Sequence, residues 1–263
     1  VVAARAAGTR VEVTHEAEPL GTAGALKNAQ HLVGTEDFLA FNGDVLTDVD
    51  LSAVLAFHRD RSAETTIVLT PVEDPSAFGV VPTDKDGKVL GFIEKPPPGT
   101  APTNSINAGV YVMSPSVLDR IPLGAVYSAE RELFPALVDD GRVFALSTDA
   151  YWIDIGTPEK YRQANMDALD GRFVTDATAD ATRERVLAGD RAVIDPTARL
   201  SCVCLGFGCA IGAGAEIEGS VLLPNSKVGA GARVRDSVLG EGVTIAQGAV
   251  VTEATVADGE TIG

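Results

Sequence analysis

The sequence Phe38-Leu-Ala-Phe-Asn-Gly-Asp-Val-Leu-Thr-Asp-Val-Asp50 joins an apolar segment directly to a turn that carries a carboxylate. Residues 38–41 are mostly apolar and predict a buried strand, which Asn42-Gly43-Asp44 follows without a break. In open α/β sheets, ligands bind beyond the carboxyl ends of the strands, where a carboxylate can hold a hard cation such as Mg²⁺. Asp44 is therefore a candidate metal ligand, although Asn-Gly and Gly-Asp are also ordinary turn dipeptides.

A second predicted strand ends in the same way. Tyr151-Trp-Ile-Asp-Ile-Gly156 reaches a carboxylate and a glycine, and Thr157 and Pro158 follow as the N-cap and first residue of a helix. Asp154 thus mirrors Asp44. The two aspartates would be neighbours only if the topology of the sheet brings their strands together, which the spacing along the chain does not show.

Glycines, charges and an amide mark three further segments. Gly21 and Gly24 lie where a loop feeds a predicted helix, so they would let the backbone approach a flat ligand, and the helix N-terminus would offer unpaired N–H groups. Glu94 and Lys95 precede three prolines, which restrict the backbone around this carboxylate and ammonium. Asn107 begins a strand with an amide that can bind hydroxyl groups.

The composition is that of a globular protein with two domains. The chain has 263 residues, of which 45% are hydrophobic and 22% are charged, and a formal net charge of −16. It has no Lys/Arg cluster, which argues against nucleic acid or an anionic membrane as a partner. A phosphate-rich substrate would therefore need local positive charge or a metal ion.

The three cysteines indicate the redox compartment of the protein. Cys202, Cys204 and Cys209 are too close together for a secreted disulfide framework and one short of a four-ligand zinc site. We interpret them as small apolar side chains in a reducing compartment and expect a cytoplasmic protein.

The chain starts at Val1 without an initiator Met, so we expect part of the N-terminus to be absent from this sequence.

The C-terminal region is a repeat of 17 residues. Apolar residues recur at Ile194, Ile211, Val228, Ile245 and Ile262, and a second series follows six positions later. This pattern predicts a parallel β-helix over residues 192–263, with one three-sided coil per repeat. Residues 1–170 would form the first domain, and the polar residues 171–191 would form a linker. The open edge of the last coil suggests that the β-helix mediates oligomerisation or regulation.

Several segments together resemble the nucleotide-sugar pyrophosphorylase, or sugar-1-phosphate nucleotidyltransferase, family, and within it the mannose-1-phosphate guanylyltransferase branch. The segments are Glu16–Leu26, Phe41–Asp44, Phe78-Gly79, Phe92–Pro96, Asn107–Gly109 and Trp152–Gly156. The resemblance implies an α/β fold: a Rossmann-like, doubly wound mixed sheet of the nucleotide-diphospho-sugar transferase type with its first strand missing, followed by a left-handed parallel β-helix of hexapeptide repeats.

The resemblance also implies roles for individual residues. Asp44 and Asp154 match Mg²⁺ ligands, and Lys95 matches the lysine that holds the sugar phosphate; these three are the candidate catalytic residues. The remaining candidates would bind substrate, near the nucleoside (Gly21, Gly24) or around the sugar (Gly79, Glu94, Asn107, Gly109). The implied reaction forms an NDP-sugar, with GDP-mannose favoured, and pyrophosphate from an NTP, with GTP favoured, and a hexose 1-phosphate. A homo-oligomer is the expected assembly.

One departure from the family pattern affects the expected activity. The family's glycine-rich signature, Gly-Gly-x-Gly-Thr-Arg-Leu, does not occur in this sequence, so we expect the chain as given to have little turnover.

Three alternatives remain open: a glucose-1-phosphate thymidylyl- or uridylyltransferase, a non-catalytic relative that binds nucleotide sugars, and a β-helix acyltransferase. The third is disfavoured because acyltransfer needs a histidine base on the coils, whereas His15, His31 and His58 all precede the repeat.

Overall fold

The computed structural model describes residues 11–173 and 175–263, and the chain divides into two compact units. The first, here called the sheet unit, comprises the described residues up to Gly43 and Val49–Ala150. The second, the β-helix unit, comprises Asp44–Asp48 and Tyr151–Gly263. The short segment around Asp44 therefore belongs to the same unit as Asp154, far away in sequence.

Residues 11–173 contain α-helices, β-strands and several short helices. In chain order the α-helices and strands are α1 (Gly21–Asn28), β1 (Phe38–Phe41), β2 (Val45–Thr47), α2 (Leu51–Asp60), β3 (Thr65–Pro71), β4 (Gly79–Val80), β5 (Ile93–Glu94), β6 (Ser105–Met113), α3 (Phe134–Asp139), β7 (Val143–Ser147), β8 (Trp152–Asp154) and α4 (Pro158–Leu169). The short helices are the 3₁₀-helices Gln30–Leu32, Pro75–Ala77 and Pro115–Arg120 and the π-helix Ala129–Leu133.

The sheet unit is built on a mixed sheet centred on β6. The strand order is β5-β4-β6-β3-β7, and β1 also pairs with β6. The pairs are antiparallel except β3 with β7, which is parallel. The first six residues of β3 and the last six of β6 are buried, as expected for central strands covered on both faces. The predicted Rossmann-like mixed sheet is thus confirmed.

Two helices of the sheet unit begin at residues whose side chains cap them. Asp50 caps α2, because its Oδ1 accepts hydrogen bonds from the amides of Ser52 and Ala53. Ser128 also caps a helix, but the first turn, Ala129–Leu133, is a π-helix and α3 starts only at Phe134.

The β-helix unit continues after α4 with a 3₁₀-helix, Asp176–Thr178, and twelve short strands among the described residues. The strands are β9 (Val186–Ala188), β10 (Val193–Ile194), β11 (Arg199–Leu205), β12 (Ala210–Ile211), β13 (Glu216–Leu222), β14 (Lys227–Val228), β15 (Arg233–Arg235), β16 (Val238–Leu239), β17 (Thr244–Ile245), β18 (Val250–Thr252), β19 (Thr255–Val256) and β20 (Thr261–Ile262). β9 lies within the segment predicted as a linker and pairs with β11.

Every pairing between these coils is parallel and joins residues 17 apart. Ile194, Ile211, Val228, Ile245 and Ile262 form one ladder, in the sheet β10-β12-β14-β17-β20. This confirms a parallel β-solenoid of about five turns, consistent with the predicted left-handed β-helix.

The corners of the coils also repeat every 17 residues. Arg185, Cys202, Gly219, Asp236 and Glu253 have φ between +48° and +60°, and so form one column of left-handed residues, here called the first corner. A second column has the same spacing and consists of Arg191, Gly208, Asn225, Gly242 and Gly259. Left-handed backbone at a fixed position lets each coil turn sharply and stack on the next.

The interior of the β-helix is apolar and includes Cys209, whereas Cys202 and Cys204 pack with Met166 and Leu169 of α4. Cys209 is buried, Cys202 and Cys204 are half-buried, and all three thiols are free. Burial is the main cause that raises the pKa of each thiol, to about 11 for Cys204. The three side chains therefore stay protonated at neutral pH and pack as small apolar groups, as predicted. Among the helices of the described residues, none is long and apolar enough to cross a membrane.

Candidate functional site

Two aspartates meet in the β-helix unit because β2 and β8 pair. The strands are antiparallel, with Val45 opposite Asp154, so the residue before β2 lies beside the residue after β8. The amide of Ile155 donates a hydrogen bond of 2.7 Å to the carbonyl oxygen of Asp44. The sequence could not show that these strands are neighbours, and the topology makes them so.

Both carboxylates face one point above Gly156. A methyl group at Gly156 would lie 3.1 Å from Oδ1 of Asp154 and 3.4 Å from Oδ2 of Asp44. The Gly156 amide donates a 3.0 Å hydrogen bond to Asp154 Oδ1. Glycine at this position leaves open the space that the two carboxylates share, so a small cation could approach both.

Lys160, in the first turns of α4, is a site residue that the sequence analysis missed. Its Nζ forms a salt bridge with Oδ2 of Asp154. Burial raises the pKa of Asp154, but the hydrogen bonds from Lys160 and Gly156 outweigh it and leave this pKa below the ordinary value. The signal for Lys160 was available, since Thr157 and Pro158 fix where the helix begins and hence which residue returns toward Asp154.

The acidic pair fits Mg²⁺ by the chemistry of its donors. Within residues 11–173 and 175–263, no group of three or more His, Cys, Asp or Glu side chains is arranged as a closed metal cage. Mg²⁺ does not require one, because it usually binds through one or two carboxylates, several waters and the phosphates of a substrate. Two carboxylates that share an open space match that mode, and the metal-ligand role of Asp44 and Asp154 stays a prediction.

In the sheet unit, β4 and β5 pair as a short hairpin, which Glu94 ends and Lys95 follows. Gly79 lies opposite Glu94, and a methyl group at Gly79 would lie 2.7 Å from the Phe92 ring and 3.2 Å from Glu94 Oε2. Lys95 Nζ lies 4.0 Å from Glu94 Oε1, and the lysine side chain is 62% exposed. The carboxylate is thus held within the hairpin while the ammonium faces solvent.

The backbone of Lys95 is in the left-handed region, with φ of +49°. Its amide donates a 3.0 Å hydrogen bond to the carbonyl of Phe78, and Pro96 follows. A non-glycine residue in this region costs about 1–3 kcal/mol and persists where its surroundings impose it, often at functional sites. The sequence pointed to a restricted Lys95 through the prolines, but not to this conformation.

The electrostatics around Glu94 depend on burial and on a segment distant in sequence, the π-helix Ala129–Leu133. Burial raises the pKa of Glu94, and the negative charge of Glu130 adds to the effect, whereas Lys95 and Arg131 oppose it. Glu130 lies in the π-helix, where its Oε2 accepts hydrogen bonds of 2.7 Å from the Thr22 hydroxyl and 2.9 Å from the Ser128 hydroxyl. Glu130 therefore belongs with the candidate site of the sheet unit.

Asn107 and Gly109 form a bulge in β6. The register of β3 against β6 shifts at this point, and Gly109 has φ of +70°, which favours glycine. The Asn107 side chain accepts a 3.0 Å hydrogen bond from the Gly109 amide and donates one of 2.7 Å to the Tyr111 hydroxyl. Burial raises the pKa of Tyr111 well above its usual range. A side-chain amide has two N–H donors and two lone pairs on its oxygen. The two bonds therefore orient the Asn107 side chain and leave one donor and one lone pair for a ligand.

The Gly109 carbonyl accepts a 2.8 Å hydrogen bond from the Asn42 amide, at the end of β1. The bulge in β6 thus fixes the point where the Asn42-Gly43 turn leaves the sheet.

Gly21 and Gly24 pack against backbone of the same unit. A methyl group at Gly21 would lie 2.9 Å from the Tyr127 carbonyl oxygen, and one at Gly24 would lie 2.8 Å from the Ala125 carbonyl oxygen. The amides of Ala23 and Gly24 donate to the Tyr127 carbonyl at 3.0 and 3.1 Å. The expectation of unpaired N–H groups at this helix N-terminus was therefore wrong for these two amides, because Tyr127 satisfies them.

A comparison with protein families decides what kind of chain this is. Residues 3–171 match the family model described as Nucleotidyl transferase. The chain belongs to the nucleotidyl transferase family. Residues 182–262 match a second model, described as GMPPB C-terminal domain.

Curated relatives of this nucleotidyl transferase agree on one description. It is 39% identical to the mannose-1-phosphate guanylyltransferase of Mycobacterium tuberculosis over 85% of this chain and 62% of that protein. It is 38% identical to mannose-1-phosphate guanyltransferase beta-B of Xenopus laevis over 75% of this chain and 54% of the relative. It is 33% identical to the mannose-1-phosphate guanyltransferase of Aspergillus oryzae over 83% of this chain and 63% of that protein. The resemblance found in the sequence is confirmed, and the chain spans less than two thirds of the length of these relatives.

Proposed function

We propose that this chain carries the acidic pair and the sugar-phosphate residues of an enzyme that makes GDP-mannose and pyrophosphate from GTP and mannose 1-phosphate. The observation that carries the proposal is the meeting of Asp44 and Asp154 above Gly156. The family match supports nucleotidyl transfer, and the names of the relatives favour guanosine and mannose.

The reaction forms one bond and breaks one. An oxygen of the sugar 1-phosphate attacks the α-phosphorus of the NTP in line, the bond to the bridging oxygen of the β-phosphate breaks, and pyrophosphate leaves. No covalent intermediate with the protein is needed, so catalysis consists of alignment and charge neutralisation. A Mg²⁺ ion held by Asp44 and Asp154 would supply charge neutralisation for the phosphates.

The side chains of the sheet unit have the properties that sugar-phosphate binding requires. The Lys95 ammonium is exposed and its backbone is held by Phe78, so it can meet a phosphate group without ordering of the backbone. Glu94 and the oriented amide of Asn107 offer hydrogen-bond partners for sugar hydroxyls. Gly79 lets the Phe92 ring and the Glu94 carboxylate pack directly against the backbone of β4, because a methyl group there would lie 2.7 Å from that ring.

Calorimetric titration of the chain with GDP-mannose, with and without Mg²⁺, tests the proposal. We expect binding that Mg²⁺ strengthens, and we expect Asp44→Asn and Asp154→Asn to remove the Mg²⁺ effect because each loses a ligand charge. Asp149→Asn is the matched control, since Asp149 is exposed and close in sequence. Tighter binding of a dTDP- or UDP-sugar would overturn the choice of base, and equal behaviour of all three variants would overturn the metal assignment.

A further inference from the structure

α4 lies along the first corner of the β-helix, within the β-helix unit. Its contacts connect α4 residues four apart to corner residues of successive coils. The contacts are an ion pair of Asp170 with Arg185, a sulfur contact of 3.5 Å between Met166 and Cys202, and hydrogen bonds from Arg162 Nη1 to the Gly219 carbonyl at 2.9 Å and to Asp236 Oδ1 at 3.1 Å.

The two repeats match in length. An α-helix rises about 5.4 Å per turn, and stacked strands of a β-helix lie about 4.8 Å apart. Each turn of α4 therefore meets one coil, and the helix runs along the stack with its N-terminal end toward the later coils. A helix docked in this way has a defined register, because a shift by one coil would break every contact together.

Arg162 is the contact that fixes this register most specifically. Its side chain is only 25% exposed and Nη1 reaches acceptors in two successive coils. Glycine at position 219 leaves room for the Asp236 carboxylate that Arg162 binds, because a methyl group there would lie 2.5 Å from Asp236 Oδ1. Asp236 itself has φ of +48°. A charge-assisted hydrogen bond of this kind is about twice as strong as a neutral one.

The N-terminal end of α4 leads directly into the acidic pair. Lys160, two residues before Arg162, reaches Asp154, and Thr157 accepts a hydrogen bond from the Lys160 amide as the N-cap. Whatever fixes the register of α4 on the coils therefore fixes where the Lys160 ammonium and the Gly156 amide stand beside Asp154.

We propose that the β-helix sets the geometry of the acidic pair, with Arg162 as the positioning residue that holds α4 in register on the first corner. This inference rests on the proposed metal site and gives the repeat a role there. Arg162 touches neither substrate nor metal; it acts through α4 on Lys160 and Asp154.

The test uses the whole chain and its single tryptophan. Trp152 lies in β8, two residues before Asp154, so quenching of its fluorescence by acrylamide reports on this strand. We expect Arg162→Ala and Asp236→Asn to increase quenching and the double variant to add little to Arg162→Ala alone, because Arg162→Ala already removes the interaction with Asp236. Arg162→Lys should increase the quenching less than Arg162→Ala does, because lysine keeps the positive charge. Arg199→Ala is the control, since Arg199 pairs with Glu216 on the β-helix and is 84% exposed.

Calorimetric titration with Mn²⁺ supplies the second readout. We expect Arg162→Ala and Asp236→Asn to lower the Mn²⁺ affinity of the chain about tenfold, as loss of an outer-shell partner usually does, while Arg199→Ala leaves it unchanged. Unchanged quenching and unchanged affinity in both variants, or fully additive effects in the double variant, would overturn the positioning role.

The two proposals fail in different ways. An affinity for Mn²⁺ that Asp44→Asn and Asp154→Asn both leave unchanged would overturn the metal assignment, while the quenching of Trp152 would still decide the role of Arg162. If Arg162→Ala unfolds, the decision passes to Asp236→Asn, which keeps the size of the side chain and removes only its charge.

Discussion

The sheet unit and the β-helix unit specify their strand pairing in opposite ways. In the β-helix every pair joins residues 17 apart, so one number describes the ladder from Ile194 to Ile262. In the sheet unit, β6 pairs with β1, β3 and β4, and the strand order follows no interval in the sequence. A repeat can thus encode its own register, whereas a sheet with crossovers depends on the packing of its whole core.

The largest expected effect comes from a charge placed inside the coils. Val234 is 1% exposed, whereas Val250, in the strand that pairs with its own, is 65% exposed. We expect Val234→Asp to lower the free energy of unfolding by about 3–5 kcal/mol, because it buries an unpaired charge. Val250→Asp should change it by about 0.5 kcal/mol or less. Urea unfolding followed by circular dichroism measures both, and equal losses would contradict the inward and outward phase of the repeat.

The second effect tests how closely successive coils approach. A methyl group at Gly206 would lie 2.7 Å from the Pro224 nitrogen, which is backbone and cannot turn aside. We expect Gly206→Ala to lower the free energy of unfolding by about 2–3 kcal/mol through overpacking.

Gly231→Ala is the matched substitution in the same unit. Gly231 has φ of +66° and open space around it, so only backbone strain of about 1 kcal/mol should follow. If Gly231→Ala proved the more damaging of the two in the same urea experiment, contact between coils would not be what constrains these glycines.

The third effect is at the candidate site of the sheet unit, where shape matters more than stability. A methyl group at Gly79 would lie 2.7 Å from the Phe92 ring, whereas at Gly91 the nearest atom would be 3.9 Å away. We expect Gly79→Ala to weaken binding of GDP-mannose about tenfold by pushing the ring into the site, an energy of about 1.4 kcal/mol, with little change for Gly91→Ala. Calorimetry measures both, and unchanged affinity in Gly79→Ala would remove this glycine from the proposed sugar site.

The smallest effect is the pH dependence of Glu94. Because burial and Glu130 raise the pKa of Glu94, the folded state binds a proton there more readily than the unfolded state does. Ionisation of Glu94 therefore costs stability as pH rises through the folded pKa. We expect Glu94→Gln to raise the melting temperature slightly at pH near 7, and the difference from wild type to vanish at acidic pH. Glu73→Gln, at an exposed residue, is the control. A gain that persisted at acidic pH would mean that charge is not its cause.

Local signals in the sequence are sufficient to locate the starts of two helices. Asp50 caps α2, and Thr157 and Pro158 begin α4, because a cap is decided by a few neighbouring residues. The same reasoning missed the π-helix after Ser128, since the i to i−5 pattern has no residue signature and depends on how Leu133 and Phe134 pack in the core. It also missed Glu130, whose partner Thr22 lies more than a hundred residues away.

The sequence by itself determined the coil length and the inward phase of the β-helix, because both depend on residues at a fixed short interval. It also singled out Asp44 and Asp154 as strand-end carboxylates. Only the tertiary structure decided that they share the space above Gly156, since that depends on the pairing of β2 with β8 across more than a hundred residues. The place of Glu130 near Glu94 was likewise decided by tertiary packing, because Glu130 is held by Thr22, more than a hundred residues away in the chain.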